Sequence, residues 1–377
     1  MNSVLVIVSF VLIILAAGAS MAAMPWLEAR DQCFAVTIPP AVSKDPALEG
    51  ERRAYASKVV LLADVCGVIV GVACASNKTG HAAVAALLAA TVALVAVPFA
   101  LMLATRRNVQ ALKAKRGWHA ERQVRVAAIG ETDLPRPLPL ALELLHLPIA
   151  LLALGLGLAL LPSMPERIPI HFDIAGHADG WVDRGPEAIA TPVIIIAFMA
   201  IVMAACHLAI ARSKRASDPT APAVTAYSYA SYARAQSLVC VVLGAAVDLG
   251  IALMPLQYAG IIPIGAWIAI MLAIAALAVG WSLRIAFTYG QNGSRAAMRL
   301  LKDANDRAGA DSAMSTDDDA HWHLGVFYAN ADDPAVIVPK RFGIGWTLNW
   351  ARPASWGIVA GFIILTAGFI VGVIALI

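Results

Sequence analysis

The chain has 377 residues, of which 60% are hydrophobic and 14% charged, with a formal net charge of +3 and a mean hydropathy of +0.75. A soluble domain carries about 25% charged residues, so this composition excludes an ordinary soluble enzyme, and no nucleic-acid partner is expected. Repeated uncharged runs of about twenty residues predict a multi-pass membrane protein. Lipid offers the backbone no hydrogen-bond partners, so only helices or closed barrels can span; the runs are continuous rather than alternating, which selects helices. The expected fold is all-α and polytopic, with about eight transmembrane helices and a small cytoplasmic β-hairpin region before the last one.

The first apolar run, 4–24, has no Lys or Arg before it and is long enough to span, so a retained helix is expected rather than a cleaved signal peptide. The polar segment 25–58 balances its charges. Its FAVTIPP stretch reads as a short extended piece ending at prolines. DPALEGERRAYASK then reads as a helix start, with Asp45 at the N-cap and Pro46 at the first helical position. Runs 59–75 and 82–105 make a second and third span joined by the turn SNKTGH. Segment 106–139 has eight basic residues against three acidic ones, which places it in the cytoplasm by the positive-inside rule. The fourth span, 140–161, therefore exits into an extracytoplasmic loop, and the fifth, 188–211, returns to the basic RSKR. Tyr227, Tyr229 and Tyr232 fit an interfacial belt and lead into a sixth span, 235–255. The turn LQYAGIIP joins it to a seventh, 264–287.

The longest soluble segment, 288–355, begins with the helical, polar-surfaced SRAAMRLLKDANDRAG. HWHLGVFYAN, ADDP and AVIVPKR then read as strand, turn and strand, and FGIGWTLNWARP leads to an eighth span, 356–377. Both termini fall outside, and the orientation of 25–58 follows from the helix count alone. The chain thus divides into an N-terminal three-helix segment (1–137), a two-helix unit around the outer loop (138–212), a helix pair (213–290), a cytoplasmic helix and hairpin segment (291–355) and a last helix (356–377). Five cysteines, Cys33, Cys66, Cys74, Cys206 and Cys240, are odd in number and lack a C-x-x-C, so free thiols are expected.

Ionisable groups inside spans are functional candidates, because an Asp at helix centre costs about 2.5–3.5 kcal/mol on insertion scales. Asp64 and Asp248 lie mid-span, and Glu143 and His146 stand at (i, i+3) on one helical face. They make either a proton or cation relay between spans or a buried hydrogen bond that holds two helices in register. His207 and Arg284 lie near inner helix ends, where long or amphipathic side chains reach the interface.

The outer loop, LPSMPERIPIHFDIAGHADGWVDR, carries two His-x-Asp pairs, His171/Asp173 and His177/Asp179. Pro165 and Pro169 hold it extended, so residues two apart share a side. Imidazoles and carboxylates so close in sequence can hold a divalent cation, although the spacing is not a standard metal signature. The bland alternative gives Asp and Gly the turns and Trp181 the headgroups. No cofactor is expected beyond such a metal.

Pro165, Ile168, Pro169, His171, Phe172, Gly176, Asp179 and Trp181 form a P-x-x-I-P-x-H-F-x-x-x-G-x-x-D-x-W pattern that resembles domain of unknown function 1648. That module also occurs in the SdpI-type family of bacterial immunity and signalling proteins. FAVTIPP followed by RRAY is similar to the F-G-V-R-I-P segment of longer relatives, with Ala35 and Thr37 where Gly and Arg are usual. HWHLGVFYANADDPAVIVPKRFGIGWTLNWARP is similar to domain of unknown function 5808, through Trp322, Gly325, Tyr328, Pro339, Lys340, Arg341, Gly345, Trp346, Asn349 and Pro353. His177 is outside the usual pattern, which leaves His171 and Asp179 as the better metal candidates. The resemblance implies a bacterial inner-membrane protein and carries little mechanism.

Three functions compete. A non-enzymatic sensor or immunity protein would meet a peptide toxin or envelope signal at the outer loop. Its inner aromatics and cations would contact a cytoplasmic partner or anionic lipid. A proton- or cation-coupled transporter would use Asp64, Glu143, His146 and Asp248. A membrane-embedded metal hydrolase lacks H-E-x-x-H and G-x-S-x-G.

Overall fold

The computed structural model describes residues 3–76, 81–119, 134–172, 178–215, 221–303 and 317–374. Among them, eight helical segments are long and apolar enough to cross a membrane. Helices α1 (Ser3–Ala23), α2 (Pro46–Ser76) and α3 (His81–Arg116) form one bundle. Small residues set its closest approach: a Cβ on Gly18 would lie 2.2 Å from the Cβ of Ala63. Helices α4 (His146–Leu160), α5 (Pro186–Arg212), α6 (Pro222–Ala252), α7 (Met254–Tyr258) and α8 (Ile264–Tyr289) form a second bundle. Helix α9 (Ser294–Asp303) lies against α6 and α8. Helix α10 (Pro353–Ile374) runs beside α5, where Phe369 stacks on Phe198 at 4.2 Å.

Helix α2 begins where the capping signals place it, with the Ala47 N–H donating to Asp45 Oδ1 at 2.9 Å. It then runs unbroken from the polar surface through the span. Helix α6 likewise starts early, at Pro222, because proline suits the first turn. The tyrosine segment is therefore the inner part of that helix. Tyr227 is exposed, but Tyr229 and Tyr232 are buried, and the Tyr229 hydroxyl meets Ser213. This corrects the expectation of an interfacial belt: packing against the inner-face segments covers these rings.

Among the described residues, four two-stranded antiparallel hairpins complete the fold: β1 (Gln32–Cys33) with β2 (Val36–Thr37), β3 (Arg167–Phe172) with β4 (Ala178–Asp183), β5 (Trp322–His323) with β6 (Phe327–Tyr328), and β7 (Ile337–Pro339) with β8 (Trp346–Leu348). The single strand–turn–strand expected over 321–341 is thus corrected to two hairpins, because each run closes on its own tight turn. FAVTIPP is not merely extended either. Phe34 and Ala35 take left-handed φ of 48° and 59° and close the β1–β2 turn.

The segment after α1 and the segment before α10 lie on one face, the inner one in the orientation expected from the basic loops. The Thr37 N–H donates to Asp319 Oδ1 at 3.0 Å, and Lys214 of RSKR donates to Asp333 at 2.6 Å. The segment 25–58 therefore shares a side with the basic ends of α3 and α5, as the helix count requires.

Candidate functional site

Within the second bundle, three elements bring four ionisable side chains together. Pro139 leads the chain into a 3-10 turn, Leu140–Leu145, which runs directly into α4. Glu143 and His146, three residues apart, project from the same side of this junction. His207 comes from the inner part of α5 and Asp248 from α6. All four are buried, and His207 and Asp248 have no exposed surface.

Their contacts form one chain. His146 Nδ1 lies 2.5 Å from Asp248 Oδ2, and its Nε2 lies 3.1 Å from Glu143 Oε2. Glu143 Oε1 lies 2.7 Å from His207 Nδ1, and His207 Nε2 lies 2.9 Å from the Leu138 carbonyl. Each of the four ring nitrogens thus faces an oxygen, and each bond needs one proton. Four protons satisfy all four bonds at zero net charge, either as two imidazoliums with two carboxylates or as two neutral imidazoles with two carboxylic acids. A proton can shift within a bond without charging the cluster, which a low-dielectric interior would oppose. The second Asp248 oxygen, Oδ1, is buried and has no hydrogen-bond partner among the described residues, so the outer end of the chain ends on an acceptor.

Room for the central ring comes from Gly244 on α6, where a Cβ would lie 3.0 Å from His146 Cε1 and 2.9 Å from Met203 Cγ. Beyond Asp248 toward the outer face, Ile149, Ala153, Ile196, Ile251 and Ala252 pack into an apolar layer. The inner end reaches Leu138, whose N–H donates to Ser237 at 2.8 Å. His207, expected to reach the interface, is instead drawn in by Glu143. The (i, i+3) pair was the signal for the inner half of this chain; nothing local in the sequence marks His207 as its partner. Asp64 does not join. It stands exposed on α2, and Arg284 stands exposed on α8.

Above the apolar layer, β3 and β4 pair with Pro169 opposite Trp181 and His171 opposite Gly180, with register shifts on either side of His171. Arg167 stacks over the Trp181 ring at 5.7 Å, and Trp181 is 42% exposed. Asp173, Gly176 and His177 lie outside the described residues, as do the side chains of His171, Phe172 and Asp179. Among the described residues, no group of three or more His, Cys, Asp or Glu is placed to hold a metal ion. Beside this hairpin a cavity of about 270 Å³ is lined by Pro169, Met254, Gln257, Tyr258 and Trp267, among others. The Trp267 indole N–H donates to the Gly250 carbonyl at 2.8 Å, which fixes one wall.

On the inner face, the C-terminal motif folds around its own polar residues. Asn349 donates to the carbonyls of Asn330, Asp333 and Ala335 and accepts from the Asn330 N–H. Tyr328 donates to Asp333 at 2.9 Å, and Trp322 packs on Tyr328. Lys340 and Gly345 offer carbonyls to the Gln291 amide at 2.9 Å each, and Trp346 packs against Tyr232. Pro353 opens α10. Arg341 is buried, pairs with Asp318 and Asp319, and lies 5.2 Å from the Trp322 ring.

Two turns converge here. Arg106, at the inner end of α3, donates to the Ala35 carbonyl of the β1–β2 turn and to the Trp322 carbonyl beside the β5–β6 turn. Gly325, with φ 73°, approaches so closely that a Cβ would lie 3.0 Å from the Ala35 Cβ. Glu28 accepts from the N–H groups of Phe34 and Ala35 at 3.0 Å each. Asp319 joins Thr37, Lys113 and Arg341. Its burial favours the neutral acid, but the Lys113 hydrogen bond, the Arg341 charge and the Thr37 groups hold it down at about 2. Arg106 and Gln291 went unmarked in the sequence because each works through backbone groups far along the chain, and Asp319 because its partners Thr37 and Lys113 lie 282 and 206 residues away.

No curated protein and no solved structure matches the chain. Two family models do: residues 149–196 match a domain of unknown function (DUF1648), spanning α4, the outer hairpin and the start of α5, and residues 331–356 match a family of unknown function (DUF5808), on the inner face.

Proposed function

We propose that this chain is a non-enzymatic, proton-responsive membrane sensor. The observation that carries this reading is the unbroken run Asp248–His146–Glu143–His207–Leu138. It links three membrane helices through shared protons, beside their apolar packing. Losing one proton from the cluster breaks a bond and leaves a buried charge. Helices α4, α5 and α6 then move against one another. Helices α4 and α5 carry the outer hairpin, where a peptide, toxin or envelope signal would act in a bacterial inner membrane. Helices α5 and α6 carry the inner motif, which would pass the change to a cytoplasmic partner or to anionic lipid.

The test is reconstitution in liposomes with a pH-sensitive dye inside. A sensor of this kind leaves an imposed pH gradient intact, while protease cleavage of the inner segment changes with pH in the parent and not in His146→Gln. Sustained, His146-dependent proton flux would contradict it.

That second outcome is a proton- or cation-coupled transporter. The cavity of about 270 Å³ beside the outer hairpin favours it, as space on the outer side of the same bundle.

A further inference from the structure

Two charged side chains face away from the protein within candidate membrane spans, Asp64 mid-span and Arg284 nearer the inner end. Asp64 is exposed on α2 between the exposed Leu61, Val65 and Val68, and Arg284 is exposed on α8. Neither has a partner among the described residues. A lone carboxylate or guanidinium facing lipid is costly, and such residues ordinarily pair or face water.

The two stand at nearly the same depth. Ala63, beside Asp64, abuts Gly18, and Leu27, nine residues beyond Gly18, accepts from the Gln291 N–H at 3.0 Å. Arg284 lies seven residues before Gln291. Measured from that shared level, Asp64 is higher by about three residues, roughly 5 Å at the rise of a helix. An arginine side chain spans that distance.

The surrounding surfaces also fit. Helix α2 runs from the inner face outward and α8 runs back, so side by side they are antiparallel. Setting Asp64 against Arg284 sets Val68 against Gly280 and Val72 against Ala276. Val68 and Val72 are 66% and 61% exposed, whereas Gly280 and Ala276 are exposed and small, and a Cβ on Gly280 would touch nothing within 4 Å. Branched side chains on one helix thus meet a small-residue groove on the other, the arrangement that lets membrane helices approach closely.

We infer that a second copy of this chain docks here, α2 of each copy against α8 of the other, with two Asp64–Arg284 pairs sealed from lipid. A twofold axis along the membrane normal keeps both inner faces on one side and makes the interface self-complementary.

The test uses two differently tagged full-length copies with Cys33, Cys66, Cys74, Cys206 and Cys240 replaced by alanine or serine. One copy carries Val68→Cys and the other Gly280→Cys, and oxidation is carried out in the membrane. A disulfide-linked product bearing both tags is expected. Asp64→Asn lowers its yield at least tenfold, and exchanging the charges in both copies, Asp64→Arg with Arg284→Asp, restores it. Three results would overturn the inference: no linked product, a product linked within one chain carrying both cysteines, or a yield unchanged by Asp64→Asn. Asp64 and Gly280 are exposed, so neither change disturbs the packed interior.

Discussion

His146 Nδ1 stands 2.5 Å from Asp248 Oδ2, and this contact fastens α4 to α6 across 102 residues of sequence. Removing one member of such a buried pair leaves the other uncompensated, which costs about 3–5 kcal/mol. Asp248→Ala should therefore lower the thermal transition of the detergent-solubilised protein sharply. Replacing both residues with leucine should cost less than the single change, because no buried charge is stranded. A double-variant loss equal to the sum of the two single losses would show that the two groups contribute separately.

Gly244 makes the space in which the imidazole sits. Gly244→Ala puts a methyl 3.0 Å from His146 Cε1 and 2.9 Å from Met203 Cγ. Overpacking of this kind costs about 1–3 kcal/mol. The flexible Met203 can give way more readily than the ring, so the lower half of that range is expected in a melting curve.

Ala35 occupies a left-handed position, φ 59°, that glycine adopts more readily. The strain of a Cβ there is about 1–2 kcal/mol, partly offset by glycine's greater freedom in the unfolded chain. Ala35→Gly should stabilise the protein by roughly 0.5–1 kcal/mol. Gly325→Ala should do the opposite and more strongly, because it adds a left-handed φ of 73° to a 3.0 Å contact with Ala35. Paired denaturation curves measure both.

The Asp319 carboxyl is held at about 2, below its ordinary 3.8. A depressed native pKa contributes stability that is fully present above the unfolded value and is lost as pH falls through the native one. Asp319 should thus contribute about 2 kcal/mol above pH 4, fading between about pH 4 and pH 2. Melting curves of the parent and of Asp319→Asn should converge across that window. Curves that stay parallel would remove Asp319 from the inner-face lock.

The membrane class and the spans were legible because apolar runs have a period and length that lipid enforces. Glu143 and His146 were legible because a helix fixes what lies three residues away. Their pairing with Asp248 and His207 was not, since 102 and 64 residues of chain intervene and only packing brings them together. The inner-face lock was hidden for a related reason. Arg106 reads as one basic residue in a positive loop, yet its guanidinium works on the carbonyls of Ala35 and Trp322, and backbone groups carry no sequence signature. Tyr232 misled because an aromatic near a span edge suits headgroups and a packed interior alike.

The most direct measurement is hydrogen exchange across 322–349 in liposomes at about pH 5 and about pH 8, corrected for intrinsic rates. If the buried relay sets the state of the inner face, protection in the parent changes between the two pH values, and Asp248→Asn abolishes the difference while leaving the segment folded. A pH dependence identical in the parent and in Asp248→Asn would contradict the account.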